Sequence, residues 1–544
     1  MPIRKYVSGD EARQKLFKGL STVADAVGAT AGPAGRTIAI QQQWGATKLT
    51  KDGVTVAKSF QLPKEEGEGA KLIIQAAEKT NSDAGDATTA TCILSKAIVE
   101  EGLKYINKGC KSTMLKRGID QAVKDTVDFL KSKSVQITDN KEIMQIATIS
   151  ANGDEEIGGL IAQAIEKVGK TGVVTVEEAK GLKTELEVVE GMEIDQGYLS
   201  PYFMTNLEKS LVEFENPFIF LYDGKINSLK QILPLLEGVS QTGRPLVFIV
   251  DECDDAPLGA LIQNHLKGTL RCCVVKAPSF GDIRKSVMED IAILTGGQFI
   301  SSILGKNLEN LTIDCLGSCG NIKISPNNTI IVNGDGDKEA IAERIKVIEG
   351  EIENSESSYD KEKLRERLAR LTSGVAVIRV GGATEVEVNE KKDRVDDASC
   401  ATRAALEEGI LPGGGVALLR AKQYLTDPSV EKVAADKDFH IGYDIVVNAL
   451  TSSIKKIAEN AGYAPDVVVE KVSEKDDFDY GFNALTGTYE NFFKTGVVDA
   501  TKAIRCALEN GASVAGSLLT VEGLVLDDID EIIKLSPLMK QPQM

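Results

Sequence analysis

The pattern of apolar residues changes twice along the chain, and this change limits the possible folds more than any other feature. Residues 11–30 and 66–131 have the periodicity of amphipathic helices. From about residue 217, short apolar runs such as PFIFLYDG, PLVFIVDE and RCCVVKAPSF alternate with helical stretches, which is typical of a βαβ domain. After GVAVIRVGG, the apolar periodicity typical of helices returns. The pattern favours an α/β domain inserted between two helical segments.

A second periodic segment lies within this middle region. Isoleucines at 341, 345, 348 and 352 and leucines at 364, 368 and 371 recur at steps of three or four residues around a polar SESSYD break. Because this spacing places the apolar side chains on one face of each helix, it predicts a helical hairpin over residues 339–372.

Composition excludes several classes of function. The 81 acidic and 63 basic residues give a net charge of −18, which would repel nucleic acids and anionic membranes. His265 and His440 are the two histidines, too few for a histidine-rich metal centre and unfavourable for a histidine triad. Nine cysteines without a C-x-x-C spacing fit reduced thiols better than disulfides or a zinc site.

Length and hydropathy set the expected number of domains and the expected location. With 544 residues and about 150 residues per domain, we expect three or four domains. No segment approaches the roughly 18 uninterrupted apolar residues of a membrane span, and the beginning of the sequence lacks targeting features. We therefore expect a cytoplasmic protein that binds neither membranes nor nucleic acid.

The segment AGDATTATCILSKAIVEEGL, residues 84–103, carries the clearest chemical signal. Asp86 stands where a helix N-cap is expected, followed by Thr88, Thr89 and an apolar helical stripe. A helix start offers free N–H groups to a phosphate, and an aspartate can hold Mg²⁺. Taken alone, these residues are better explained by a simple capping aspartate and surface threonines.

Two further segments offer groups suited to the same ligand. The Gly-Pro loop ATAGPAGR, residues 29–36, follows a helix and allows the backbone to approach a ligand closely. In TKDGVTVAK, residues 50–58, Lys51 is a phosphate counter-charge and Asp52 a carboxylate able to orient water. Gly169, Lys170 and Thr171 resemble the end of a Walker A loop, but Ala164 replaces the required glycine and a helix precedes the loop, which predicts a helix-to-strand turn.

These segments belong to a longer series of motifs. The series is TAGPAGR, TKDGVTVA, AGDATTAT, LKRGID, TISAN, VVEGM, GYLSPYF, VKAPSFGD, DIAILTGG, YDKEKLRERLARL, ATEVE, ATRAALEEG and GGGVAL. The motifs occur in the order and spacing of the group I chaperonins, from about residue 4 to residue 525. The chain therefore resembles that family over nearly its whole length.

The resemblance implies a multidomain α and α/β protein with the chaperonin fold, in which the α/β apical domain is inserted in the middle of the chain. The implied domains are a helical equatorial ATP-binding domain (1–132 and 410–525), a small intermediate hinge domain (133–190 and 375–409), an apical client-binding domain (191–374) and a C-terminal tail (526–544).

The resemblance also implies an activity, cofactors and partners. The activity is ATP hydrolysis coupled to the folding of nonnative client proteins in a ring-shaped chamber, with ATP, Mg²⁺ and K⁺ as cofactors. The implied partners are further copies of the chain, in one or two seven-membered rings, and a lid co-chaperonin. A passive holdase or ring scaffold with an impaired ATPase stays open as an alternative, whereas a small-molecule kinase or synthetase lacks a recognisable acceptor site.

Roles for individual residues follow from the same resemblance. Asp86 is the implied magnesium ligand, and Asp52 and Asp397 are the implied catalytic residues that orient or activate the attacking water. Asp397 is implied to lie in another domain than Asp86 and to enter the site on closure. The implied nucleotide contacts are Thr30, Ala31, Gly32, Pro33, Lys51, Asp86, Ala87, Thr88, Thr89, Ala90, Gly414, Asn483, Ala484, Leu485, Val497 and Asp499.

The chain departs from the family pattern at several positions. Ala87 and Ala90 replace a glycine and a threonine of the family signature, which puts the rate of ATP turnover in question. Lys455 matches an arginine of the ring-to-ring interface, but its acidic partner position is Ala464. The sequence ends LSPLMKQPQM, without the Gly-Gly-Met repeats of bacterial members. Such changes suit a divergent member of the family, from a virus of bacteria or from an unusual bacterium.

A client-binding surface is expected on the middle domain. In NSLKQILPLLEGV, six apolar residues (Leu229, Ile232, Leu233, Leu235, Leu236 and Val239) span an arc of about 160°, wider than the roughly 100° that one buried face needs. By resemblance, client contacts fall on Tyr198, Tyr202, Phe203, Leu233, Leu236, Leu258 and Ile262. A family valine is replaced there by Gln263, which predicts weaker client or lid binding. Gly191, Gly374 and Gly409 are candidate hinge residues or plain turn glycines.

Overall fold

The structure is a computed structural model that describes residues 4–527, except 42–46, 138, 152, 170–171, 180, 208, 302–307, 309–310, 356, 373 and 429–435. Most of the predicted tail and both Lys170 and Thr171 lie outside the described residues. The chain forms two compact units. The helical unit comprises Met1–Ala162 and Asn389–Met544, and the α/β unit comprises Gln163–Val388. The predicted insertion is thus confirmed, while the finer division into three domains stays a prediction.

Helices account for most of the helical unit and cover the sheet of the α/β unit. The helices are α1 Gly9–Gly28, α2 Gly53–Lys58, α3 Lys64–Ala84, α4 Thr88–Ile106, α5 Ser112–Lys133, α6 Asn140–Ser150, α7 Glu155–Val168, α8 Leu233–Thr242, α9 Asp255–Leu266, α10 Gly281–Thr295, α11 Lys338–Asn354, α12 Ser358–Thr372, α13 Glu385–Glu408, α14 Val416–Thr426, α15 Lys437–Ala449, α16 Ser452–Asn460, α17 Pro465–Ser473, α18 Phe492–Thr495 and α19 Thr501–Leu519.

Strands are concentrated in the α/β unit. The strands are β1 Arg4–Ser8, β2 Ile38–Ile40, β3 Lys48–Thr50, β4 Val173–Glu178, β5 Glu185–Val189, β6 Gly191–Ile194, β7 Val212–Glu215, β8 Phe218–Ile226, β9 Leu246–Cys253, β10 Cys272–Lys276, β11 Phe299–Ser301, β12 Gly317–Ile324, β13 Thr329–Gly334, β14 Val375–Val380, β15 Ile410–Pro412, β16 Tyr480–Asn483, β17 Thr488–Asn491, β18 Val498–Ala500 and β19 Gly523–Asp527.

The helical unit is built on helices that pack backbone to backbone. A Cβ placed on Gly19 of α1 would lie 1.8 Å from the carbonyl oxygen of Glu66, and one on Gly69 of α3 would lie 1.9 Å from that of Leu16. Because no larger residue fits at either glycine, these two positions fix how closely α1 and α3 approach each other. The buried face of α1, including Leu16 and Leu20, joins one apolar core with α3, α4, α5, α15 and α19.

The α/β unit is built on an eight-stranded sheet ordered β10-β9-β8-β12-β13-β6, in which β11 also pairs with β8 and β7 with β12. Strands β8, β9, β10 and β11 run parallel, as the alternation of apolar runs and helices predicted. The first six residues of β8 are all buried, as expected for a parallel strand covered on both faces. A second sheet, β4-β14-β5, has three strands.

The predicted hairpin is confirmed as α11 and α12. A buried ion cluster attaches it to α10: Asp290, which is 1% exposed, accepts hydrogen bonds from Arg344 on α11 and Arg367 on α12. The distances are 2.7 Å from Arg344 Nε to Oδ1 and 2.9 Å from Arg367 Nε to Oδ2. Two guanidinium groups thus satisfy one buried carboxylate.

The remaining chemical expectations concern cysteines and membranes. All nine cysteines are free thiols, in agreement with the reduced state expected from the sequence. No helix in the described part of the chain has the length and apolar character needed to cross a membrane.

Candidate nucleotide site

Helix α4 begins with an unusual backbone conformation. Its N-cap is Ala87, with φ 64° and ψ 19°, and no described side chain caps this end of the helix. The prediction that Asp86 is the N-cap is therefore wrong: Asp86 lies one residue earlier, and its Oδ1 accepts the N–H of Ala87. The first turn of a 19-residue helix is thus left without a side-chain cap, and such a turn can bind a phosphate.

Helix α2 begins directly beside α4. Asp52 is its N-cap, and its two carboxylate oxygens accept the N–H groups of Val54 at 3.2 Å and Thr55 at 2.9 Å. A Cβ on Gly53 would lie 2.7 Å from the hydroxyl oxygen of Thr88 and 2.6 Å from that of Thr89. Glycine at this position therefore lets the two helix starts meet.

The Gly-Pro loop approaches the same helix start. Thr30, which is buried, has its hydroxyl oxygen 3.4 Å from that of Thr89. The side-chain amide of Asn460 donates to the carbonyls of Gly28 and Ala31, each at 3.0 Å. Ala31 is buried, while Gly32 and Pro33 are exposed, so the tip of this loop faces solvent.

Asp397 is carried to this region by α13. Three residues further along the same helix, Cys400 lies so close to Gly85 that a Cβ on Gly85 would be 2.0 Å from the Cβ of Cys400. Residues three apart share a helix face, so Asp397 lies on the face that contacts the loop before α4. In this structure, Asn389 onwards belongs to the same compact unit as Asp86.

The carboxylates of this region repel one another. The pKa of Asp397 lies well above its usual value, chiefly because of desolvation and then because of the charges of Asp52 and Asp86. Desolvation also raises the pKa of Asp86, although hydrogen bonds from Ala87 and Ser150 oppose this. Asp86 nevertheless keeps an exposed surface. A cation bound beside these carboxylates would relieve their repulsion.

Asp499 extends the cluster from the other side. It lies on β18, opposite Leu411 of β15, and it accepts a hydrogen bond from the backbone of Gly414. Desolvation, followed by the charge of Asp86, raises its pKa to about 7. Gly414 has φ +62°, so this part of the glycine-rich loop uses a conformation that favours glycine.

The other predicted nucleotide contacts lie on several different segments of the chain. Asn483 ends β16, where its amide donates to Glu490 at 2.7 Å and its oxygen accepts the N–H of Leu485. Leu485 is 75% exposed. Ala484 and Val497 pack against the cluster that contains Val416, which follows the glycine-rich loop. Lys51 is exposed, and Thr88 is buried beside the half-buried Ala87, Thr89 and Ala90.

Sequence reasoning missed two residues of the site. The hydroxyl of Ser150, at the end of α6, lies 3.4 Å from Oδ2 of Asp86. Ser150 belongs to the TISAN motif, so the resemblance contained a signal for it. Asn460 carries no such signal, because its role depends on the distance between α16 and a loop more than 400 residues earlier.

The predicted client surface is only partly exposed. Phe203 and Leu236 are buried in the core of the α/β unit, so their side chains are not exposed in this structure, and their role in client binding stays a prediction. Tyr202 is 65% and Leu233 47% exposed. The predicted helix is interrupted, since residues Leu229–Gln231 form a 3₁₀ turn before α8.

Helix α9 contributes a stripe of apolar residues to the same surface. Leu258 and Ile262 are half-buried, and Leu266, one turn further, is 65% exposed. Gln263 is exposed beside them, and Tyr198 is half-buried. Leu266 was not predicted, although its spacing of four residues from Ile262 would have indicated it.

The chain is similar to known proteins in both sequence and structure. The model of the TCP-1/cpn60 chaperonin family matches residues 23–528. The chain belongs to the TCP-1/cpn60 chaperonin family. A similar solved structure is the chaperonin gp146 from bacteriophage EL 2 (Pseudomonas aeruginosa), determined in the presence of ATP-BeFx, with 26% identity and a TM-score of 0.68 over 96% of this chain and 99% of that chain. The expected divergent character agrees with this similarity to a phage chaperonin.

The residues at which this chaperonin departs from the family pattern make defined contacts in the structure. The methyl groups of Ala87 and Ala90 pack against the core of the helical unit. Lys455, whose partner was expected to be lost at Ala464, pairs within the chain with Asp466, at 2.7 Å from Nζ to Oδ1. Gly374 and Gly409 have φ values of +63° and +82°, as turn glycines have, and their role as hinges stays a prediction.

The described residues contain no group of three or more His, Cys, Asp or Glu side chains that could hold a metal ion by themselves. Mg²⁺ commonly takes one or two carboxylates and fills its other positions with phosphate oxygens and water. A single protein ligand such as Asp86 therefore fits Mg²⁺ that arrives with a nucleotide, and it fits a permanent all-protein metal site poorly.

Proposed function

We propose that this chaperonin is an ATP-dependent molecular chaperone that captures nonnative proteins and promotes their folding. The observation that carries the proposal is the meeting of three segments in one compact unit: the uncapped start of α4, the start of α2 with Asp52, and the face of α13 that bears Asp397. Each segment is a weak signal alone. Together they bring phosphate donors and carboxylates close to one another.

The proposed hydrolysis assigns roles to the start of α4, to two threonines and to three aspartates. The first N–H groups of α4 and the hydroxyls of Thr88 and Thr89 bind phosphate oxygens. Asp86 holds Mg²⁺, which when bound neutralises phosphate charge. Asp52 and Asp397 orient the attacking water, and the raised pKa of Asp397 suits a group that accepts its proton.

The test is steady-state phosphate release by the purified chain with ATP and Mg²⁺. Replacing Asp397 with Asn keeps the shape of the side chain and removes its charge, so we expect ATP binding to persist while turnover falls by about 10²-fold or more, the range of general base catalysis. Asp128→Asn, which changes an exposed carboxylate on α5, is the matched control. Equal rates for Asp397→Asn and wild type would refute the ATP-driven proposal and leave the passive holdase.

Client capture is proposed for the exposed apolar residues of the α/β unit. Tyr202, Leu233 and Leu266 expose between 47% and 65% of their surface, and exposed apolar patches bind the apolar segments of nonnative chains. The test measures how well the chain suppresses aggregation of a chemically unfolded protein. We expect the triple change of these residues to Ser to weaken suppression without lowering ATP turnover.

Ring assembly, which family membership supports, and a lid co-chaperonin belong to the same proposal. Electron microscopy with and without ATP tests the assembly directly. Monomers under all conditions would exclude a folding chamber, whereas rings of seven copies would support it.

A further inference from the structure

We propose that Thr91, Thr80 and Asn510 are positioning residues that hold the start of α4 in its phosphate-binding conformation. This inference rests on the proposed nucleotide function of the site and adds residues that contact no predicted ligand. It concerns a chain of buried polar side chains beneath the helix start.

The conformation that needs support is that of Ala87. At φ 64° an alanine lies in the left-handed region, which is strained for residues with a side chain, and such conformations persist when the surroundings fix them. The carbonyl oxygen of Ala87 accepts two hydrogen bonds from Thr91, from the N–H at 3.0 Å and from the hydroxyl at 3.1 Å. Thr91 therefore fixes the peptide group from which the first turn starts.

The hydroxyl of Thr91 is itself held in place. Its one proton is shared between the carbonyl oxygen of Ala87 and the hydroxyl oxygen of Thr80 on α3, 3.0 Å away. The hydroxyl of Thr80 donates to the carbonyl of Ala76, and its oxygen accepts the amide of Asn510 on α19 at 3.0 Å. Thr80 and Thr91 are both 0% exposed. A buried hydroxyl without a hydrogen-bond partner lowers the stability of the fold. The three side chains therefore stabilise one arrangement of α3, α4 and α19.

A second contact supports the same helix one turn further. The hydroxyl of Ser95 lies 2.8 Å from the carbonyl oxygen of Thr91 and 3.2 Å from that of Gly511, the residue after Asn510. Its one proton is shared between these two acceptors, so it adds a second, weaker contact between α4 and α19. The contact through Thr91 is the one that reaches Ala87, and through it the neighbouring Asp86, whose Oδ1 accepts the N–H of Ala87.

The effect of losing this chain of contacts should appear in nucleotide binding. Without the hydroxyl of Thr91, the peptide of Ala87 can relax, and the first-turn N–H groups and Asp86 lose their orientation toward phosphate. A hydrogen bond of this kind contributes about 0.5 to 1.5 kcal/mol. We therefore expect Thr91→Val to raise KM for ATP about three- to tenfold.

The experiment compares KM and kcat for ATP, together with thermal unfolding, in wild type and four variants. Thr91→Val removes the hydroxyl and keeps the shape, and Thr91→Ser restores the hydroxyl. Asn510→Ala removes the side-chain amide that donates to Thr80, at a half-buried position. This variant provides the test if Thr91→Val does not fold. Thr126→Val is the matched control, since its buried hydroxyl donates to the carbonyl of Ala122 on α5.

The proposal requires a raised KM in Thr91→Val and Asn510→Ala, recovery in Thr91→Ser, and an unchanged KM in Thr126→Val even where its melting temperature falls. A wild-type KM in Thr91→Val, or an equal rise in Thr126→Val, would overturn it. If wild type neither binds nor hydrolyses ATP, the proposed function itself is refuted, which is a distinct result.

Discussion

Gly85 and Cys400 approach so closely that no side chain fits between them: a Cβ on Gly85 would lie 2.0 Å from the Cβ of Cys400. Gly85 also has φ +69°. Contacts under 3.0 Å force a shift of the structure, here of α13 or of the loop before α4. The closeness of α13 to the loop before α4 thus depends on a residue without a side chain.

Gly85→Ala should therefore displace Asp397 from the site. We expect ATP turnover to fall at least tenfold, with a loss of stability of about 1 to 3 kcal/mol from overpacking. Phosphate release and denaturant unfolding measure the two effects. Gly259→Ala is the control, because a Cβ there meets nothing within 4 Å. Normal turnover in Gly85→Ala would show that α13 need not approach this closely.

Ala87→Gly tests whether the departure from the family signature impairs catalysis. The methyl group packs against the core of the helical unit, so its removal should not open the phosphate site. Glycine relieves the left-handed strain but adds freedom to the unfolded chain, and these effects oppose each other. We expect turnover within about threefold of wild type. An increase in ATP turnover of tenfold or more would mean that the methyl group of Ala87 limits the rate of hydrolysis.

Asp499 should make the nucleotide-free protein less stable as pH rises. Its pKa is raised from 3.8 to about 7, so the folded chain binds this proton more tightly than the unfolded chain. Stability linked to this group therefore falls between about pH 4 and pH 7 and stays low above that. Asp499→Asn should gain melting temperature relative to wild type at pH 8 and less at pH 5. A difference in melting temperature between Asp499→Asn and wild type that does not change with pH would contradict this prediction.

Asp290→Asn should destabilise the α/β unit without affecting the nucleotide site. Asp290 is 1% exposed and serves two arginines, and breaking such a buried cluster costs about 3 to 5 kcal/mol. Denaturant unfolding measures the loss, and phosphate release should remain normal. Glu349→Gln, at an exposed position of α11, is the control. A loss under about 1 kcal/mol would mean that water or neighbouring groups replace the carboxylate.

The sequence predicted those elements whose signals are local. The hairpin α11–α12 followed from isoleucines and leucines at helical spacing, and the parallel strands followed from short apolar runs that are buried on both faces. The insertion of the α/β unit followed from the return of helical texture. In each case the side chains that determine the element lie within a few residues of one another.

The details that sequence reasoning missed depend on contacts between distant segments. Asp86 was assigned as the N-cap from its position before a helix, but Ala87 takes that place by adopting a left-handed conformation. Phe203 and Tyr202 are neighbours in one motif, yet one is buried and the other exposed. The contact of Thr91 with Thr80 and Asn510 requires three helices at a fixed distance, which no local pattern encodes.

The pairing of β1 with β19 joins the first described strand to the last. During synthesis, the partner of β1 leaves the ribosome only after some 520 residues, and α19, which packs against α3, α4 and α5, is also among the last segments made. At about 5 to 20 residues per second, the apolar faces of the early helices wait for roughly half a minute or more before they are covered. The core of the helical unit can therefore be completed only after nearly the whole chain has been made.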